Sequence, residues 1–200
     1  QALTAMASVE IWYDFGSPAS YLGYWEVQKV AMRTGADIDY QPMLLGGVFQ
    51  AVGNSSPASI AAKGEWLFGD LSNYADKYGL PFNMNPHFPV NTLALMRGAI
   101  VAQGRDEQVP YSDAMFNAVW RDEKDMADIA VVGATLTEAG LDAQAYGEGM
   151  QDQGVKDALK SQVERAVAKG VFGAPTFFVG EQMWWGQDRL SWVEEALAAG

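Results

Sequence analysis

The residues best placed for chemistry lie in 14-DFGSPASYLGYW-25, where a strand runs into a helix. Ser17 can cap that helix, and Pro18 takes its first position, where a missing N–H costs nothing. A C-x-x-C pair at such a junction carries out thiol–disulfide exchange. Here the four residues are Ser17-Pro18-Ala19-Ser20, and the 200-residue chain has no cysteine, which excludes dithiol redox cycling. A hydrolase triad is also a poor match, because no G-x-S-x-G elbow surrounds Ser17 and His87 is the lone histidine. Two roles stay open for Ser17: a plain helix cap, or a hydroxyl offered to a ligand at the mouth of the helix.

Three other stretches carry candidate groups. In 170-GVFGAPTFFV-179 a Gly-rich turn precedes a proline that opens a strand. That pattern suits either an ordinary turn or a cis Ala174–Pro175 bond, with the Ala174 backbone exposed as an edge for a peptide-like ligand. In 184-WWGQDRLSW-192, Asp188 reads as a helix cap, with an ammonium group as its alternative partner. The loop 81-PFNMNPHFPVNT-92 is dense in Asn, Pro and aromatics and long enough to wall a substrate. Flanked by Phe and Pro, His87 reads as structural, while Asn85 and Asn91 are candidates to cap or to bind. Trp66, Phe116 and Trp120 read as core.

The elements that must hold these groups follow from periodicity. Val9–Phe15 suits a strand. The helix from Ser17 runs to about Thr34 and stops at Gly35. Ile38–Leu45 suits a second strand, placed near an edge by Pro42. This is a βαβ unit. From about Ser56 to Lys169 nearly every segment has helical period. The stripes are Leu93/Met96/Ile100, Ile129/Val132/Leu136/Ala139 and Val155/Leu159/Val163/Val167, with breaks at Gly79–Pro81, Asn83–Pro89, Gly104 and Gly140. Thr176–Val179 and Gln182–Trp185 read as a hairpin turning at Gly180-Glu181, followed by a last helix with Leu190, Val193 and Leu197 inward. The order βαβ, helical block, ββα predicts an α/β chain of thioredoxin architecture. Residues 9–55 and 170–200 would form the thioredoxin-like part and 56–169 the helical insertion.

Composition narrows the partners. A net charge of −12 argues against nucleic acid, whose binding rests on Lys and Arg neutralising phosphates. Zero Cys and one His leave no thiolate or histidine-rich metal site, and no acidic spacing resembles a calcium loop. No apolar run approaches the roughly 20 residues of a membrane helix. Residues 1–8 read as a frayed end without signal-peptide character, with Met6 the candidate natural start and the cytoplasm the default location.

DFGSPASYL, LLGGVFQAVGN, NPHFPVNTLALMRG, GVFGAPTFFV and WGQDRL occur in that order. Together they resemble the 2-hydroxychromene-2-carboxylate isomerases, relatives of the kappa-class glutathione transferases and of the DsbA-like branch of the thioredoxin fold. The resemblance runs from Val9 to Leu197. It implies glutathione as cofactor and an aromatic keto-acid as substrate. The reaction would be cis–trans isomerisation between 2-hydroxychromene-2-carboxylate and trans-o-hydroxybenzylidenepyruvate, as in the breakdown of naphthalene and related aromatics. It further implies a homodimer. Ser17 matches the family's catalytic serine, and Asn54 and Lys63 match residues lining the glutathione site. Ala174, before Pro175, matches the residue whose backbone pairs with the cysteinyl unit; Gln187 and Asp188 match contacts to the γ-glutamyl end. Lys63 and Asn85 are candidates for the substrate carboxylate. Ala19 stands where the family often has an aromatic, and Trp184-Trp185 replaces a Phe-rich pair.

The implied chemistry suits a chain without sulfur of its own. A thiol of cysteine type has a pKa near ~8.5, and helix N-termini lower it. A helix end contributes ~0.3–1 kcal/mol, and a hydrogen bond to a charged group roughly 1.5–3 kcal/mol. At about 1.4 kcal/mol per pKa unit, the two together lower the thiol pKa by roughly 1.5–3. Ser17 then needs no base, in keeping with the lone His87. Two alternatives start from the same site: a kappa-type transferase that joins glutathione to an electrophile, and a redox-inactive binding module.

Overall fold

A computed structural model describes residues 6–200; the first five residues of the expected frayed end lie outside the described residues. Strand β1 (Ser8–Tyr13) leads through a turn into α1 (Pro18–Thr34), which ends on Gly35 in the left-handed region. Strand β2 (Asp37–Pro42) follows, then α2 (Leu45–Val52) and a short 3-10 turn at Pro57–Ser59. The helical block comprises α3 (Ala61–Tyr78), α4 (Leu93–Gly104), α5 (Gln108–Trp120), α6 (Ile129–Glu138), α7 (Ala143–Gln151) and α8 (Gln153–Ala168). The hairpin β3 (Thr176–Val179) and β4 (Gln182–Trp185) has the predicted bounds. A 3-10 turn at Gln187–Arg189 leads into α9 (Leu190–Ala199).

The strands form one sheet in the order β2-β1-β3-β4, with β1 parallel to β2 and antiparallel to β3. Pro42 ends β2 on the sheet edge, where its missing donor breaks no ladder. The second strand stops three residues short of the expected Leu45, because Leu45 opens α2, a helix the periodicity did not suggest. On one face of the sheet, Val9, Ile11, Tyr13 and Phe177 join residues of α1, α9 and the helical block in the main core. On the other, Trp12, Met43, Val48, Ala166, Val171 and Phe178 make a second, smaller core under α2 and α8. Helix α8 thus packs on the sheet as well as on α4 and α7.

Some expected faces turn differently. Ile129 and Ala139 are exposed while Val132 and Leu136 are buried. In α8 the buried line is Leu159, Gln162 and Ala166, with the three valines only half-buried. Phe116 and Trp120 are core, but Trp66 is 68% exposed and is not. No helix among the described residues is long and apolar enough to cross a membrane.

Candidate active site

Ser17 caps α1 as expected: its backbone is extended and its Oγ accepts from the Ser20 N–H at 3.0 Å. The side chain is 6% exposed. Its hydroxyl donates to the Ala174 carbonyl at 3.5 Å, the outer limit of a hydrogen bond, so the proton is loosely held and free to turn towards a stronger acceptor. Pro18 has no N–H, and the Ser20 and Tyr21 N–H groups are taken by Ser17. Among the described residues, this leaves the Ala19 N–H as the unclaimed amide of the first turn. A loosely held hydroxyl and a free amide at a helix N-terminus are suited to an anion.

Opposite lies the Gly-rich loop. The Ala174–Pro175 bond is cis. Helix α1 meets Pro175 closely enough that a Cβ on Gly23 would lie 2.9 Å from the Pro175 Cγ, which is why this helix position carries no side chain. The loop is pinned by Thr176 Oγ1 donating to the Gly173 carbonyl at 2.8 Å, and Trp185 lies over Gly173, where a Cβ would meet its Nε1 at 2.6 Å. Half-buried Ala174 turns its carbonyl to the Ser17 hydroxyl, and its own N–H has no hydrogen-bond partner among the described residues.

The helical block holds a cavity whose bordering loop reaches the turn before α1. An apolar cavity of about 670 Å³ is lined by Ala58, Gly64, Phe68, Met84, Phe88 and Pro89, among others. The loop bearing Phe88 and Pro89 continues to Val90 and Thr92, which pack on Gly16; a Cβ there would lie 3.0 Å from Thr92 Cγ2. The Phe88–Pro89 bond is also cis, a feature the sequence reading did not include. Tyr21 of α1 donates to the Pro81 carbonyl at the other end of this loop, and burial pushes its phenol up to about 12, so it remains a donor.

The remaining candidates divide. Asn54 Nδ2 donates to the Phe172 carbonyl at 2.8 Å and its Oδ1 accepts from the Ser55 N–H, so it ties the end of α2 to the Gly-rich loop. Gln187 is buried, with its Oε1 accepting from the Tyr78 hydroxyl at 2.6 Å. Lys63 is exposed near the start of α3, without an ion pair among the described residues, and no hydrogen bond joins it to Ser17. Asp188 is not a cap: it sits exposed inside the 3-10 turn, and α9 starts without a side-chain cap because that turn already leads the chain into it. Asn85 is buried and fully engaged. Its Nδ2 donates to the Val119 and Lys124 carbonyls at 2.9 Å each, and its Oδ1 accepts from the His87 N–H at 2.7 Å. It fastens the loop to the end of α5, and no polar atom is left for a substrate carboxylate. Asn91 Oδ1 accepts from the Leu93 N–H, an Asx turn just before α4, whose N-cap position is Thr92. His87 is exposed, with its Nδ1 3.8 Å from the Asp125 carboxylate.

One residue escaped the sequence reading. Asp14, 3% exposed, accepts from the Gly16 N–H, the Leu45 N–H and the Thr92 hydroxyl. Burial pushes its carboxyl up, and those three donors pull it back part of the way. An acid inside an apolar run, two residues before a glycine, was the available signal for an Asx turn.

Comparison with known proteins agrees with this geometry. The family model for the DSBA-like thioredoxin domain matches residues 8–198. A 2-hydroxychromene-2-carboxylate isomerase of Pseudomonas putida is 31% identical, over 94% of this chain and 93% of its own. Glutathione S-transferase kappa 1 of Homo sapiens is 26% identical, over 95% and 90%. The solved structure of a 2-hydroxychromene-2-carboxylate isomerase superposes with a TM-score of 0.87 at 30% identity, covering 96% of this chain and 95% of that one. The chain belongs to the DsbA-like thioredoxin family and, within it, to the 2-hydroxychromene-2-carboxylate isomerase family of enzymes.

Proposed function

We propose that the protein is a glutathione-dependent cis–trans isomerase that interconverts 2-hydroxychromene-2-carboxylate and trans-o-hydroxybenzylidenepyruvate. The observation that carries this reading is a loosely held Ser17 hydroxyl at the mouth of α1, set against the Ala174 carbonyl, with the Ala174 N–H without a partner among the described residues. The donor set fits the cofactor: a peptide-like edge for its cysteinyl unit, and a hydroxyl, an amide and a helix N-terminus for a negatively charged sulfur. The kappa-class relative, whose name specifies glutathione, supports the same choice.

When bound, glutathione would supply a thiolate nucleophile for reversible addition to the conjugated carbon of the substrate. The chain's part is to hold that sulfur. Ser17 donates to it and keeps its own proton, so no base is required. The Ala19 N–H and the α1 dipole favour its charged form. The Ala174 backbone aligns the cofactor, and the cavity at Phe68 and Phe88 takes the aromatic ring. Lys63 is the candidate cation for the substrate carboxylate. Gln187 and Asp188 are the candidate contacts to the γ-glutamyl end. This reading also carries cytoplasmic residence, a place in aromatic catabolism and a homodimer, the last measurable by light scattering.

The test is to incubate the protein with glutathione and the chromene carboxylate. Isomerisation with glutathione unconsumed is the expected result. Loss of glutathione in proportion to substrate would instead support a kappa-type transferase, and full speed without glutathione would refute the reading.

A further inference from the structure

Asp14 is a buried carboxylate that the proposed chemistry does not use. It lies at the meeting point of three segments. Its Oδ1 accepts from the Gly16 N–H at 2.8 Å and from the Thr92 hydroxyl at 2.8 Å; its Oδ2 accepts from the Leu45 N–H at 2.9 Å. Its main-chain carbonyl accepts from the Ser17 N–H at 3.0 Å. No cation pairs with it among the described residues. Burying an unpaired charge is costly, and an uncharged Asx or Ser/Thr turn would shape the 14–17 bend at a lower cost. What those cannot do is accept from both sides at once, holding Gly16 and Thr92 on one oxygen and the start of α2 on the other.

The far end of α2 completes a circuit. The helix lies on α8, where a Cβ on Gly47 would touch Val163 at 3.3 Å. It closes at Gly53, and the next residue, Asn54, donates to the Phe172 carbonyl. Phe172 is two residues from Ala174, whose carbonyl faces the Ser17 hydroxyl. The chain of contacts therefore runs from Ser17 through Asp14, Leu45, α2, Asn54 and Phe172 to Ala174, and back to Ser17. We infer that Asp14 is a positioning residue that sets the separation of Ser17 from the Ala174 edge, acting through α2, with Asn54 as the distal clamp. Asn54 then serves the cofactor site by holding the loop, since both ends of its amide are engaged with the backbone. This rests on the proposed function only for the purpose of that separation; the linkage itself is a property of the ligand-free chain.

Asp14→Asn tests it without changing shape, because the amide nitrogen must face a donor at Leu45 or at Gly16 and Thr92. The readouts are hydrogen exchange of the ligand-free protein over 45–54 and 171–177, and glutathione binding by calorimetry. Asp14→Asn is expected to speed exchange in both segments and to weaken glutathione binding by roughly tenfold or more. Asn54→Ala, on the surface, is expected to speed exchange over 171–177 while leaving Gly16 and Leu45 protected. Exchange in Asp14→Asn that rises at 14–17 and 45–54 but stays at the wild-type rate over 171–177 would overturn the inference. If Asp14→Asn fails to fold, Asn54→Ala decides alone: unchanged protection over 171–177 and unchanged glutathione affinity would overturn it. Wild-type protein that binds no glutathione would remove the proposed function, while the exchange data would still settle the linkage.

Discussion

The Gly-rich loop beside Ser17 and the cavity of the helical block are built from different materials. On the sheet side the wall is backbone: the carbonyl and N–H of Ala174, the cis Pro175, and a loop pinned by Asn54, Thr176 and Trp185. On the helical side it is apolar side chain: Phe68, Met84, Phe88 and Pro89 around an open cavity. The first wall recognises main-chain polarity and tolerates little movement, because hydrogen bonds are directional. The second recognises bulk, and its energetics scale with area. On the proposed reading, cofactor and substrate selection would fall to separate parts of the chain.

The largest expected effect breaks this division at its centre. Ser17→Ala should lower kcat by roughly 10- to 100-fold, the equivalent of one hydrogen bond to a charged group, while glutathione still binds through the Ala174 edge. Its activity should recover partly at higher pH, as the bound thiol returns towards the ordinary value near ~8.5. An unchanged rate would reduce Ser17 to a cap. Next, Gly23→Ala forces a methyl against Pro175 and should cost about 1–3 kcal/mol of stability, read by denaturant unfolding. Phe88→Ala sharpens the comparison from the other side. It should raise KM for the aromatic substrate by about tenfold and leave the glutathione Kd unchanged, as lost apolar contact area predicts. A change in both constants would mean that the walls are not separate.

The smallest effect concerns Asp14. Burial raises its folded-state pKa above the ordinary 3.8, so the folded chain keeps this proton to higher pH than the unfolded one does. The stability it contributes is therefore fully present below about 3.8 and declines as pH rises through the elevated value. The difference in thermal midpoint between wild type and Asp14→Asn should narrow as pH rises through that window.

Much of the framework was legible along the chain. The α1 cap at Ser17, the stop at Gly35, the edge position of Pro42 and the hairpin bounds all depend on a few adjacent residues and on alternation or helical period. Family membership was legible too, because five short motifs in order are specific even where each is weak. The misreadings came where the adjacent residues were weak or misleading signals. Helix α2 has only eight residues, about two turns, below the length at which periodicity speaks. Asp188 looked like a cap because acids often are, but the 3-10 turn around it left no cap to make. Asn85 looked available because its loop is irregular, whereas three hydrogen bonds to the backbone absorb it.

What lay beyond any local reading is partnership. Ser17 meets Ala174 across 157 positions, Asn54 meets Phe172 across 118, and Asp14 gathers donors 2, 31 and 78 residues away. Caps and periodicity arise from neighbours within one turn or one strand, so residue types announce them. A carboxylate or an amide side chain looks the same in sequence whether it faces a ligand, a backbone carbonyl or water. Which of these it meets depends on how helices and sheet pack together, and that packing alone brought Ser17 against Ala174 and the loop after Phe88 and Pro89 against Gly16.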